Sequence, residues 1–186
     1  DDRIDIYRLE DPAALEAYES TVLLVSQEEL QRKGDTYTIT GEPYGESHLL
    51  CTTVVFWSQP SRGFCSGFLV APDLVATAGH CIETEEDCAD TAIIFGYRMK
   101  DASTPILEFP ASDVYFCAGI VGRELEDEGE DWAVLRLDRP VPDRRPLEIR
   151  RAGAIAMGTQ VAMIGHPSGL PSKFNAGGAK VVGNGP

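Results

Sequence analysis

The sequence predicts a β-rich architecture, a sandwich or a barrel with only a short helix near its start, and two observations carry that prediction. Runs of strand composition recur at short intervals from Cys51 onward: Thr53–Trp57, Phe64–Val70, Leu74–Ala78, Ala92–Tyr97, Asp113–Phe116, Trp132–Leu137, Gln160–Ile164 and Ala179–Val182. The chain of 186 residues also holds 18 Gly and 12 Pro, a density of turn formers that suits many short strands and disfavours long helices.

Before Cys51 the signals are fewer. Asp11-Pro12 followed by Ala13-Ala14-Leu15-Glu16-Ala17-Tyr18 reads as a short helix, because Asp caps and Pro is tolerated at the first helical position. Thr21–Val25 reads as a buried strand, and Gln31–Asp35 as a polar loop ahead of Thr36–Ile39. The acidic stretch Glu124–Asp131 and the proline-bearing stretch Arg139–Pro146 read as surface connections, the second of them a joint between two lobes.

Charge narrows the partners. With 30 acidic against 16 basic side chains the net charge is −14, which repels nucleic-acid phosphates and anionic membrane surfaces. No stretch approaches the roughly 20 apolar residues of a membrane span, and Asp1-Asp2-Arg3 lacks the features of a secretory signal, so a mature soluble chain is expected. The cysteines at 51, 65, 81, 88 and 117 lack zinc-site spacing, which favours disulfides and hence a secreted or periplasmic location. One of the five is left over: a free buried thiol, or a partner for a cysteine outside these residues.

The segment with the most chemical content runs from Cys65 to Cys81. Two apolar strands flank an Ala71-Pro72-Asp73 turn, so the hairpin returns Cys81 to the neighbourhood of Cys65, where a bridge is geometrically reasonable. That bridge pins His80, and a fixed imidazole is what a general base requires. The second segment is Asp131-Trp132-Ala133-Val134-Leu135-Arg136-Leu137. With period two, Asp131 shares a face with Ala133, Leu135 and Leu137 and heads toward the core. A buried carboxylate needs a donor, and the Nδ1–H of His80 is the natural candidate.

Thr77-Ala78-Gly79-His80-Cys81 resembles the histidine loop of trypsin-like serine proteases, and Asp131-Trp132-Ala133-Val134-Leu135 resembles that family's Asp-x-Ala-x-Leu strand. Gly165-His166-Pro167 is similar to the segment that opens the second barrel in bacterial relatives, including the glutamyl endopeptidase group. The resemblance implies an all-β, chymotrypsin-like double β-barrel with catalytic His80 and Asp131. It covers about Cys51 to Gly169 and implies a first barrel over 51–140 and a linker with an incomplete second barrel over 141–186. Residues 1–50, which it does not explain, are expected to pack as an N-terminal extension around the first barrel. His166, before a proline in a Gly-rich turn, is expected to be structural or to line the substrate rim.

The family's Gly-[Asp/Asn]-Ser-Gly-[Gly/Ser]-Pro nucleophile motif does not occur before Asn184-Gly185-Pro186, and neither Ser66, beside a cysteine, nor Ser168, in His-Pro-Ser-Gly, has its setting. The nucleophile is therefore expected beyond residue 186, in continuing sequence or in a companion chain, and these residues alone are expected to be inactive on protein or peptide substrates. The rival reading is a pseudoprotease or binding module on the same scaffold. A disulfide-stabilised adhesion or inhibitor domain is a third, but it leaves the parity of Asp131 and the context of His80 unexplained.

Weaker signals remain. Cys88 and Cys117 bracket the run Ala92–Tyr97 and are the next candidates to pair, with Cys51 over. The acidic side chains of Glu83–Asp90 and Glu124–Asp131 match no EF-hand spacing and read as a solvated face, so neither a metal nor a cofactor is expected. Arg144, Arg145, Arg150 and Arg151 are the one basic patch, accounted for by ion pairing within the chain. Ile39-Thr40-Gly41-Glu42 matches poorly the new N-terminus of an activated zymogen and is read as coincidence.

Overall fold

The computed structural model describes residues 1–127, 129–175 and 177–183; Glu128 of the acidic stretch and the terminal Asn184-Gly185-Pro186 lie outside the described residues. In chain order the first part forms β1 (Ile4–Asp5), helix α1 (Pro12–Glu19), β2 (Thr21–Ser26), β3 (Gln31–Lys33), β4 (Thr36–Thr38), β5 (Glu42–Pro43), helix α2 (Tyr44–Ser47) and β6 (Pro60–Ser61). There follow β7 (Cys65–Ala71), β8 (Leu74–Thr77), helix α3 (Glu85–Ala89), β9 (Thr91–Phe95), β10 (Glu108–Pro110), β11 (Val114–Leu125), β12 (Asp131–Leu137), β13 (Met163–Gly165) and β14 (Lys173–Asn175).

The centre is a closed antiparallel barrel in the order β11-β12-β8-β7-β2-β9. Closure leaves no open edge, and alternate residues of each strand fill the interior. Val22, Leu24, Leu69, Val75, Ile93, Phe95, Ala133, Leu135 and Leu137 form this inner core. Strands β2 and β9 are apolar on both faces because each separates two cores. Leu23, Val25, Ala92 and Ile94 point outward, against Ile39, Tyr97 and Phe109, where the small sheet β10-β4-β3 covers them.

Strand β2 lies within residues 1–50, so this segment is part of the barrel rather than an extension around it, and a division at residue 51 does not coincide with a structural boundary. The unbroken apolar run Thr21–Val25 is the composition of a strand covered on both sides. Gln31–Asp35 is likewise more than a loop, since β3 and β4 form a hairpin about Gly34-Asp35, with Gly34 at φ 61°. Thr53–Trp57 has strand composition but forms successive turns, with Val54 N–H bonding Cys51 O and Trp57 N–H bonding Val54 O. Trp57 closes over Gly45, where a Cβ would lie 1.9 Å from its ring, and that packing overrides the local β preference. Of Gln160–Ile164 and Ala179–Val182, the first contributes only its last two residues to β13, and the two meet at a single bridge, Gln160 to Lys180.

Helix α1 starts where expected. The Asp11 carboxylate accepts from Ala13 N–H at 2.9 Å and from Ala14 N–H at 3.3 Å. Its far end is stitched to the 139–146 connection: Arg144 pairs with Glu19 and Asp113, and Arg145 with Glu16. These pairs account for half of the basic patch, and Leu147 N–H to Leu69 O at 2.8 Å lays the connection along the barrel.

A second, three-stranded sheet, β1-β14-β13, stands beside the barrel, and its edge strand comes from the beginning of the chain. A buried polar knot joins it to the barrel side. Lys173 Nζ donates at 2.7 Å to each of Asp5 Oδ1, Gln59 Oε1 and Pro171 O, and Gln59 Nε2 donates to Asp5 Oδ2 at 3.0 Å. Lys173 is 2% exposed, and burial draws its ammonium down to about 8 against the pull of Asp5. All three of its protons are used. Removing the partner leaves the charge buried and unpaired, so Asp5→Ala is expected to cost about 3–5 kcal/mol. Urea unfolding of the variant and the wild type, compared at equal slope, measures that loss.

Candidate active site

Register places the first pair of functional side chains. Strand β8 leads into the short turn Gly79–Cys81, and β12 begins at Asp131. Their pairing matches Ala133 with Thr77 and Val134 with Ala76, so the same antiparallel register extended by two residues sets Asp131 opposite Gly79. His80 is the next residue.

The carboxylate holds the histidine twice. Asp131 Oδ1 accepts the His80 backbone N–H at 2.9 Å, and Oδ2 lies 2.7 Å from Nδ1. The ring therefore carries its proton on Nδ1, toward the carboxylate, and turns Nε2 away. The side chains of His80 and Asp131 are 60% and 37% exposed, so the carboxylate expected to be buried is not. Its parity is as read, with Ala133, Leu135 and Leu137 buried behind it, but it sits at the strand's end, where the face emerges at the rim. Hydrogen bonds rather than burial set its charge state. The imidazole contact first, then the backbone N–H, hold the Asp131 carboxyl below the ordinary carboxylate range.

Both expected bridges form, Cys65–Cys81 with Cα atoms 6.2 Å apart and Cys88–Cys117 at 5.2 Å. The first fastens the histidine turn to β7. Its sulfurs are bonded to each other, so they offer no thiolate to an ion beside the ring. Cys51 is a free thiol, exposed rather than buried.

The remaining sequence candidates fall outside the pair. Ser66 Oγ accepts the His166 N–H at 2.8 Å, and Ser168 lies in the turn Pro167–Gly169 at φ 53°. His166 is 4% exposed, stacks on Tyr97 at 5.6 Å and faces Leu170 O with Nδ1 at 3.1 Å. Burial draws it down to about 4, which keeps it neutral and makes it a structural spacer between barrel and second sheet. A cleft of about 430 Å³ runs from Asp131 and Trp132 past Ala78 and Ser66 to Ile164 on that sheet, with Phe68 and Trp132 exposing apolar surface along it.

Of two further residues at the site, Gly79 was read from the sequence as one of the small residues that allow close backbone packing before His80, and Arg123 was not singled out. Gly79 is buried so tightly that a Cβ would lie 2.2 Å from Glu124 O, and Arg123 Nε donates to its carbonyl at 2.8 Å. Nothing local in the sequence marks Arg123, whose partner is 44 residues away.

The site is thus an imidazole oriented by a carboxylate at the rim of a closed barrel, beside a cleft that the carboxylate lines. The chain belongs to the trypsin-like peptidase domain family, whose model matches residues 65–186. No curated protein matches it in sequence. Among solved structures it is similar to the VesB protease of Vibrio cholerae, at 16% identity and a TM-score of 0.52, over 94% of this chain and 43% of that one. It is also similar to human heparin binding protein, at 14% identity and a TM-score of 0.51, over 90% of this chain and 61% of that one. These likenesses show the all-β, chymotrypsin-like fold, and the chain spans less than two thirds of either structure.

The lowered Asp131 carboxyl has a consequence for stability. A carboxylate whose value falls on folding stabilises the native state fully above its unfolded value and ceases to do so as the pH drops through the folded one. Asp131→Asn is therefore expected to be less stable than the wild type above about pH 4, the difference vanishing on further acidification. Denaturant titrations of both proteins across that range read the crossover.

Proposed function

We propose that this domain is the histidine and aspartate half of a serine endopeptidase, exported to the cell exterior or periplasm, that cleaves protein or peptide substrates. One observation carries the reading: the 2.7 Å contact between His80 Nδ1 and Asp131, with the opposite ring nitrogen left for a substrate-side partner. Two disulfides support an oxidising location. Likeness in the Gly165-His166-Pro167 segment supports a bacterial relative of the glutamyl endopeptidase kind.

In this mechanism His80 Nε2 takes the proton of a serine hydroxyl as its oxygen attacks the scissile carbonyl. The imidazolium then delivers that proton to the departing amine, and a water repeats the cycle on the acyl-enzyme. Asp131 holds the tautomer and stabilises the imidazolium. The serine and the oxyanion donors are supplied by sequence beyond residue 186, continuous or on a companion chain, seated against the cleft that runs from Asp131 to Ile164. The net charge of −14 disfavours nucleic acid and anionic membrane surfaces as partners.

Fluorophosphonate labelling tests this directly. The 186-residue chain is expected to remain unlabelled, and the polypeptide extended through its natural continuation to be labelled on a serine outside these residues. In the extended protein Asp131→Asn is expected to lower kcat about 10⁴-fold. Label on the 186-residue chain, or a folded extended protein that neither labels nor hydrolyses esters, overturns the reading; the second result assigns a non-catalytic binding module.

A further inference from the structure

The peptide unit joining Gly79 to His80 is held at both ends. Its N–H is bonded by Asp131 Oδ1 at 2.9 Å, and its carbonyl by Arg123 Nε at 2.8 Å. Asp131 and Arg123 lie on adjacent strands of the barrel, β12 and β11, so the plane of this one peptide is fixed by two rigid elements. Gly79 itself rests on the β11–β12 ladder, too close to Glu124 O and Trp132 O for any side chain. Arg123 reaches further: its Nη2 lies 3.9 Å from Glu83 Oε2, so one half-buried guanidinium spans the start of the histidine turn and the residue that follows it by four.

From this geometry we infer that Arg123 is a positioning residue for His80. This role rests on the reading of His80 and Asp131 as the acid–base pair. The carboxylate bonds backbone and ring with different oxygens, and both bonds form only while the 79–80 peptide keeps its tilt. A peptide free to rotate takes the Cα–Cβ bond of His80 with it and breaks the ring contact. The exposed position of the ring makes this matter, because little packing constrains it. Arg suits the task through a planar, directed Nε–H and a second edge for Glu83, whereas a Lys ammonium is a point charge on a flexible stem without that fixed fork.

The test is nuclear magnetic resonance of the folded 186-residue chain with isotopically labelled histidine. The His80 Nδ1 proton, shared with a carboxylate, is expected as a far-downfield resonance. Arg123→Met keeps the stem and removes the donor; it is expected to broaden that resonance beyond detection and to speed exchange of the His80 amide about tenfold. Arg123→Lys, which retains a donor for the Gly79 carbonyl and serves also where the methionine variant fails to fold, is expected to keep the resonance at reduced intensity. Asp131→Asn is the reference for complete loss. An unchanged resonance and amide exchange in Arg123→Met, or a folded Arg123→Lys as blank as Asp131→Asn, overturns the positioning role alone. A wild-type chain without the resonance overturns the acid–base pair, and this role with it.

Discussion

The pairing register between β8 and β12 is the constraint from which the site follows. Both strands carry their buried residues on the inner face, Val75 and Thr77 on one and Ala133, Leu135 and Leu137 on the other. A slip by one residue turns either set toward solvent, so the barrel core fixes the register. The same register sets Asp131 across from the peptide before His80 and gives the carboxylate two donors at once. The imidazole's orientation is thus a by-product of packing several residues away, and the Cys65–Cys81 bridge holds the turn that the register aims.

Much of this was legible in the sequence. The period-two face of Asp131, the cysteines around His80 and the small residues before it, read together with the resemblance to the family's histidine loop and aspartate strand, pointed to the pair and the bridge. The burial of Asp131 was misjudged because parity gives a direction, not a depth, and the residue lies where β12 leaves the barrel. Arg123 was not legible, since its work is one bond to a backbone carbonyl distant in sequence. The strand in residues 21–26 was seen, but not its place, because an apolar run announces burial on two sides without naming the neighbours. Thr53–Trp57 misled for the opposite reason: β-branched and aromatic residues were recruited to turns that seat Trp57 on Gly45.

The polar interior divides into two kinds. His166 is kept neutral by burial and spaces two layers by stacking on Tyr97, with its Nδ1 facing a single carbonyl. Lys173 keeps its charge within a complete set of acceptors, one of them the carboxylate of Asp5. The exposed pair at the rim is a third case, in which water shares the solvation and hydrogen bonds set direction. Each histidine and carboxylate therefore behaves as its surroundings dictate, and residue type alone did not separate His80 from His166.

The edge strand of the second sheet also constrains the order of events in synthesis. Asp5 and Lys173 are separated by 168 positions, and Ile4 pairs with Phe174. A ribosome delivers the first of these long before the second, so the leading residues emerge, wait without their partners while the barrel closes, and are captured only when the far segment arrives. Closing so long a loop is a slow, late event. Until it happens, the nascent chain carries an unmatched strand and a carboxylate destined for the interior, a window in which a chaperone or a neighbouring copy competes for the same edge.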